Sequence, residues 1–409
     1  VGVPLFMARI LEHCGPMHET FDVVIVGAAV VGSAAAYFLT RQPGFDGSVL
    51  LLERDLSFRD CSTARSLASI RHQFSVAENI RMSMFGTQFL RQPQLLAVDG
   101  DVPAIGLRED GYLFLASAAG REALARNHAL QTSEGADIGW LDATALARRF
   151  PWLASDDLAA GTLGLSGEGW LDAHALMHGL RRKALASRVQ LRQAEVVALE
   201  HTGHRITGVR LGDGSVIGCG TVINAAGTRA AALAATAGIT LPVRPRKRCV
   251  FHFRSPALLP GCPLVIDPCG LYFRPEGSGF LCGIAPPPED DPDVALDDFE
   301  VPPTLFEEQL WPLLAARVLG FEALRLLSAW AGHYDVNTLD DNAILGPHPD
   351  FDNLLFANGF SGHGVQQAPA VGRALAEWVA FGGWRSLDLS AFGWQRVLEG
   401  RPLRELNVV

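Results

Sequence analysis

The sequence is short of lysine: of 34 basic side chains only Lys183 and Lys247 are lysines. Any site that needs a fixed ammonium has just two residues to draw on. Bases are also outnumbered, 34 against 44 acids, for a net charge of −10, which argues against nucleic acid as a partner. The seven cysteines (Cys14, Cys61, Cys219, Cys249, Cys262, Cys269, Cys282) are odd in number and scattered. No pair makes a CxxC or zinc spacing, so no metal site is expected and reduced thiols in a cytoplasmic protein are the simplest reading. No apolar run approaches the roughly 18 residues of a membrane span. Residues 1–20 lack the charged start and cleavage pattern of a signal peptide and read as a tail. Repeats and low-complexity segments are missing too. What remains is 48% hydrophobic and 19% charged, enough for a large core. At roughly 100–200 residues per domain the length suits two domains.

The chain is organised around Phe21–Arg54. Asp22–Val26 is a short β-branched apolar run and reads as a buried strand. Gly27-x-Ala29-x-x-Gly32 then opens an alanine-rich helix, and Val49–Leu52 is a second apolar strand ending on Glu53. This is a βαβ unit with a dinucleotide fingerprint. Gly27 suits the tight turn, Gly32 lets helix and strand approach, and the helix N-terminus offers free N–H groups to a pyrophosphate. Glu53 falls about 20 residues after the last glycine, where a carboxylate takes ribose hydroxyls. The middle glycine is replaced by Ala29, whose methyl crowds the phosphate position. The motif alone does not separate FAD from NAD, nor either from a plain crossover.

Further along, Ser62–Phe74 is a small-residue stretch with Arg65 and Arg71, and Val76–Arg91 reads as an amphipathic helix. Gly111–Ala116 reads as a strand, with helices over Arg121–Thr132, Asp142–Arg149 (capped by Asp142) and His174–Ser187 (capped by Asp172). Gly161–Trp170 reads as a return between domains, and Gln190–Glu200 as one strand. Ile206–Leu211 and Ser215–Ile217 form a hairpin about Gly212-Asp213-Gly214. Thr221–Ile223 is taken as a separate buried strand running into Asn224–Gly227 and a helix to Ala235. Cys249–Phe253, Leu271–Arg274 and Phe280–Ile284 suggest one antiparallel sheet, Pro286–Pro292 a loop, and Val301–Leu319 helix. Leu326–Tyr334 and Asn353–Ala357 are strands, the latter ending in Asn358–Gln367 before a last helix to about Phe381. The fold class is α/β: a Rossmann-like domain of 21–100, 165–240 and 334–409, and an antiparallel-sheet domain of 101–164 and 241–333.

Four segments, Val24–Glu53, Ser62–Phe74, Val222–Gly227 and Trp330–Arg373, resemble the D-amino-acid-oxidase superfamily of FAD-dependent oxidoreductases, which includes sarcosine oxidase, glycine oxidase and dimethylglycine dehydrogenase. Ser62-Thr63 with Ile70–Phe74, and the run from Gly359 to Pro369, are most similar to its subgroup of FAD-dependent oxidoreductase-domain proteins associated with respiratory complex I. The resemblance implies FAD held by Gly27, Ala28, Ala29, Val30, Val31 and Gly32; by Glu53 and Arg54; and by Ser62, Thr63, Arg65, Ser66, Ser69 and Ile70. It adds Val197, Ala226, Gly227, Gly332 and the turn Gly359, Phe360, Ser361, Gly362, His363, Gly364, Val365 and Gln366. The helix after that turn would aim its N-terminus at the pyrimidine end of the flavin and favour the anionic reduced form. His363 suits a structural hydrogen bond better than a catalytic role.

By the same resemblance Arg71 is the candidate for the substrate carboxylate, which its planar fork suits; the plainer reading is an arginine holding its own loop or a flavin oxygen. Arg65 is either a loop residue or a phosphate contact. Tyr334, Tyr272 and Gln366 complete the catalytic group, with pocket lining and plain core both open for the tyrosines. Where sarcosine oxidase attaches FAD through cysteine this chain has Gly332, and Thr63–Ala68 lacks the linking histidine of dimethylglycine dehydrogenases, so non-covalent FAD is expected. Two lysines of sarcosine oxidase are absent at positions matching Gln366 and the strand around Leu281, which favours a dehydrogenase passing electrons to a quinone or electron-transfer protein. The implied reaction is oxidation of an amino acid or N-methylated (secondary) amino acid, its C–H placed roughly 3–3.5 Å from flavin N5. A 2-hydroxy acid would suit the same fold and arginine, and a binding or assembly role is the reading from another class.

Overall fold

The computed structural model describes residues 19–406. Two eight-stranded sheets organise them. In the first, Leu354–Asn358, Val216–Asn224, Thr20–Val26, Val49–Glu53 and Val189–Gln193 run parallel in that order. These strands are near-continuous apolar runs because both faces are covered. The helices Val30–Leu39, Ala173–Leu185 and Gly364–Phe381 bury one face, and Ala230–Ala235 lies on the other. Asp142 and Asp172 cap their helices as expected, accepting from Ala145 N at 2.8 Å and Ala175 N at 2.9 Å.

The second sheet runs in the order Arg325–Asn337, Val243–Arg254, Gly279–Ile284, Leu271–Glu276, Leu264–Ile266, Tyr112–Ala116, Ala160–Gly164, Ile138–Asp142. Its register sorts the side chains into two faces. One presents Leu113, Leu163, Phe251, Phe253, Val265, Phe273 and Cys282 to Phe306, Leu310 and Leu314 of the segment Leu305–Arg317. The other presents Tyr112, Phe114, Leu264, Ile266 and Tyr272, with Tyr334 further along. Three of the four tyrosines of the chain therefore share one face.

Several boundaries differ from the sequence reading. Gln190–Glu200 is two strands, because the chain turns at Ala194, whose N–H donates to Glu53 O at 2.8 Å; the second piece, Val196–Thr202, pairs with Arg205–Leu211 instead. Ser215–Ile217 and Thr221–Ile223 are parts of one strand, Val216–Asn224. Gly218 and Gly220, which look like breaks, let that strand pass its neighbour: a methyl on either would lie 2.6 Å from Thr20 Oγ1 or Asp22 O. Gly161–Trp170 begins within a strand of the second sheet, Ala160–Gly164. The short strands Ile138–Asp142, Leu264–Ile266 and Ile344–Pro347 gave no usable period. The tail expected at residues 1–20 lies almost wholly outside the described residues, as does Cys14; the other six cysteines are unpaired.

Candidate active site

A cleft of about 400 Å³ opens at the carboxyl ends of the parallel strands. On one side stands the turn after Thr20–Val26. Gly27 takes φ +100°, and a methyl on it would lie 2.3 Å from the Ala225 carbonyl oxygen, so the turn closes only with glycine. A methyl on Gly32 would lie 1.9 Å from Gly27 O. Ala29, at the helix N-cap, is extended and lines the cleft with Val30 and Val31. Glu53 lines it too, one oxygen accepting from Ala28 N at 2.9 Å and the other from Asp55 N at 3.1 Å. Arg54, Ser62, Thr63, Ser66, Val197, Ala226 and Gly227 complete this half.

The other side is the turn after Leu354–Asn358, contributing Phe360, Gly362, Gly364 and Val365 to the same cleft. Asp335, from the second sheet, holds it: its carboxylate accepts from Gly359 N at 2.8 Å and Phe360 N at 3.3 Å, and its carbonyl from Ser361 N at 3.1 Å. Burial pushes that carboxyl up to about 6 despite these donors. Ser361 sits at φ 49°, and its hydroxyl accepts from Asn337 N at 3.0 Å. A methyl on Gly362 would lie 2.4 Å from the Tyr334 ring, so the turn passes directly against that tyrosine.

Both helices therefore start on one cleft, and the first N–H groups of each have no partner within their own helix. Such ends attract anions. With glycine where backbone must come close and a carboxylate at the end of the second strand, the donor set fits a dinucleotide flavin.

Tyr334 lines the cleft too, whereas Arg71, Tyr272, Gln366, Arg65, Gly332, Ser69 and Ile70 do not. Arg71 lies beyond it, only 7% exposed. Its backbone N–H donates to Gln366 Oε1 at 2.8 Å, and its guanidinium to His363 Nε2 at 3.0 Å. Burial, then the Arg71 charge, push His363 down to about 3, leaving it neutral and able to accept. The guanidinium packs 4.5 Å from the Phe74 ring and 5.2 Å from Phe114. Among the described residues Arg71 forms no ion pair. Gln366, with its amide oxygen on Arg71, holds that arginine in place. Tyr112, Tyr272 and Tyr334 are all kept protonated by burial, Tyr112 up to about 12.

Arg65 serves the loop. It donates to Arg59 O, Ala331 O and Asp60, and stacks on Phe299. Gly332 packs on it: a methyl there would lie 2.9 Å from Arg65 Cβ. Ser69 and Ile70 form a two-residue strand with Gly169–Trp170.

Sequence reasoning missed Glu168, fully buried, which accepts from His72 N (2.5 Å), Gln73 N (3.1 Å) and Gln73 Nε2 (2.7 Å) and so fixes the stretch carrying Arg71. Burial pushes it up to about 7. Its flanking Gly167 and Gly169 were the available signal. Arg248 was missed as well; nothing in its strand sets it apart.

The profile of the FAD-dependent oxidoreductase family matches residues 22–378. FAD-dependent oxidoreductase domain-containing protein 1 of Xenopus laevis is 40% identical, the match covering 96% of this chain and 85% of that one; the Bos taurus protein is also 40% identical, covering 96% and 88%. A 4-methylaminobutanoate oxidase of Paenarthrobacter nicotinovorans is 27% identical over 93% of this chain, which spans 46% of that protein. Among solved structures, L-proline dehydrogenase from P. horikoshii superposes with TM-score 0.82 at 23% identity over 94% of this chain and all of that one. Glycine oxidase from Geobacillus kaustophilus superposes with TM-score 0.77 at 23% identity over 92% and 98%. The chain belongs to the FAD-dependent oxidoreductase family, and FAD is its cofactor. No helix among the described residues is long and apolar enough to cross a membrane.

Proposed function

We propose, with that membership as the premise, that the chain oxidises the C–N bond of an amino acid or N-alkylated amino acid, and that it is a dehydrogenase with non-covalent FAD. The carrying observation is Arg71: a buried guanidinium with no carboxylate partner among the described residues, facing an aromatic surface. An unpaired buried charge is costly, and a substrate carboxylate binding its fork would relieve that cost. Relatives named for 4-methylaminobutanoate and N-methyl-L-tryptophan oxidation, both 27% identical, support a carboxylate-bearing amine.

The flavin, when bound, supplies the hydride acceptor. The chain's residues do the rest. His363 and Gln366 hold Arg71 so that it can orient the carboxylate. The face bearing Tyr112, Phe114, Tyr272 and Tyr334 excludes water, which lowers the pKa of a substrate amine towards its neutral form. Gly332, backed by Arg65, leaves no thiol at the position where sarcosine oxidase attaches the cofactor. Lys183 and Lys247 are both committed elsewhere, to Ala97 O and Asp298, so no lysine stands over the cleft to favour reaction with oxygen.

The test is anaerobic mixing of the holoprotein with N-methyl, D- and L-amino acids and 2-hydroxy acids while flavin absorbance is followed. Bleaching by an amine, lost in Arg71→Ala, is the expected result. No bleaching by any carboxylate, or bleaching indifferent to Arg71→Ala, ends the reading; bleaching by hydroxy acids alone moves it to the other substrate class. Re-oxidation faster with a quinone than with air is expected of a dehydrogenase.

A further inference from the structure

The tyrosine face carries guanidinium groups of its own, Arg248 among them. Arg246 lies opposite Tyr334 in the sheet and Arg248 opposite Gly332. Directly opposed residues share a face and residues two apart stay on it, so Arg248 projects on the Tyr334 side. Its guanidinium sits 5.2 Å from the Tyr334 ring centroid. The Tyr334 phenol lies within electrostatic reach of both Arg248 and Arg71.

Arg248 differs from Arg71 in having a carboxylate. Asp291 grips it through two parallel bonds, Nη1 to Oδ1 at 2.6 Å and Nη2 to Oδ2 at 2.8 Å. The two side chains are 16% and 15% exposed. Asp291 belongs to no strand: it follows the short turn Pro288–Asp290 in a segment whose Glu289 and Asp290 face water. Asp341 is also within reach of this pair but forms no ion pair with Arg248. A loop carboxylate presented end-on to an arginine of the pocket face has the geometry of a bound ligand carboxylate.

We infer that Arg248 is a second carboxylate-binding group on the face that closes over the substrate, that Asp291 is its internal occupant, and that the preferred substrates are amino acids with a remote second acid group that takes the place of Asp291. This rests on the function proposed above. Exchanging one carboxylate for another leaves neither guanidinium unpaired, and the released Asp291 can go to water with its loop, so the step avoids the penalty of stripping a buried charge. The span is long. Phe114, against which Arg71 packs, and Arg248 lie four strands apart in the sheet order, about 19 Å at ~4.8 Å per strand, less the reach of two arginines. A diacid must bridge the gap that the two side chains leave, and the series from succinate to suberate brackets it.

The experiment titrates the holoprotein with unreactive acids (acetate, butyrate, succinate, adipate, suberate) and reads the perturbation of the flavin spectrum, which needs no turnover. Adipate or suberate is expected to bind about tenfold or more tighter than butyrate, Arg248→Gln to remove that advantage, and Asp291→Asn, which frees Arg248 without touching it, to enlarge it. Equal affinity for butyrate and the long diacids overturns the inference, as does an advantage that survives Arg248→Gln. If Arg248→Gln fails to hold flavin, Asp291→Asn decides: no tightening overturns it. The underlying carboxylate reading fails differently, by butyrate binding that persists in Arg71→Ala.

Discussion

At Gly27–Gly32 the chain turns against its own backbone. Ala225 O and Gly27 O stand where side chains would be, and the geometry is closed by main-chain atoms. At Gly359–Gln366 the turn is held from outside: Asp335 comes from the second sheet, and Gln366 and His363 reach Arg71, separated by 295 and 292 residues. The first turn is a rigid backbone-against-backbone fit, one of its walls the Ala225 carbonyl at the end of the neighbouring strand, and it needs particular small residues. The second is an assembly of side chains that brings the cofactor cleft and the proposed substrate face into register. Damage to the first should remove the cofactor; damage to the second should leave the cofactor and spoil what happens beside it.

The largest effect tests the first half of that contrast. Gly27→Val places branched carbon against Ala225 O in a positive-φ turn. Overpacking of about 1–3 kcal/mol and left-handed strain of about 1–2 kcal/mol add, so the purified variant should carry no flavin and melt several degrees lower. A flavin-loaded variant with wild-type stability would break the contrast.

Next comes the buried carboxyl behind Arg71. The Glu168 carboxyl ordinarily loses its proton near 4.5 but is raised to about 7 by burial. Between these values the native state keeps a proton that the unfolded chain has lost, so stability falls as pH rises through this window. The loss is complete above pH 7 and amounts to about 3 kcal/mol. Glu168→Gln should erase it, gaining on wild type between pH 5 and 8 in denaturant melts. His72 and His363, pushed down to about 4 and about 3, act in the opposite sense, losing stability as pH falls below 6.5, but they are common to both proteins and cancel in the difference. A pH-independent difference between the two melts counts against an ionisable Glu168.

Gln366→Ala probes the second half directly. It leaves the buried Arg71 N–H without its acceptor, a cost of about 1–3 kcal/mol. If that cost falls on the placement of Arg71, KM for a carboxylate substrate rises about tenfold, while flavin content and kcat change little. Equal losses in flavin content and activity would mean that the two turns are one structural unit.

The contrast also explains what could be read from the sequence. The βαβ unit, the capped helices and the last helix are local patterns, and they fell where expected. The Gly27 and Gly359 turns carry their own glycine signatures. Arg71 was found through a motif, but its lack of an ion pair was not legible, because that depends on what every other segment leaves vacant around it. Asp335 holds a turn more than 20 residues away, which no local pattern announces. Glu168 and Arg248 had no pattern at all: each gets its meaning from a partner, Gln73 or Asp291, that only the folded sheet brings near. The short strands failed for a related reason, since three to five residues are too few to show a period.

The smallest expected effect concerns Ala29, the one departure in the local turn. It sits at the N-cap with φ −69° and ψ −169°, a conformation any residue adopts, so its presence costs the fold nothing. Ala29→Gly should barely change stability: glycine is the better N-cap than alanine, and the extra freedom it gives the unfolded chain costs roughly the same in return, about 0.4–1 kcal/mol. What changes is space. The methyl lines the cleft where phosphate must approach backbone, and removing it should tighten FAD binding by about two- to fivefold, under 1 kcal/mol, measured by titrating apoprotein with FAD. Unchanged affinity would mean that the phosphates do not approach Ala29 closely; weaker binding would mean that the methyl packs on the cofactor and that the departure from glycine is itself part of the site.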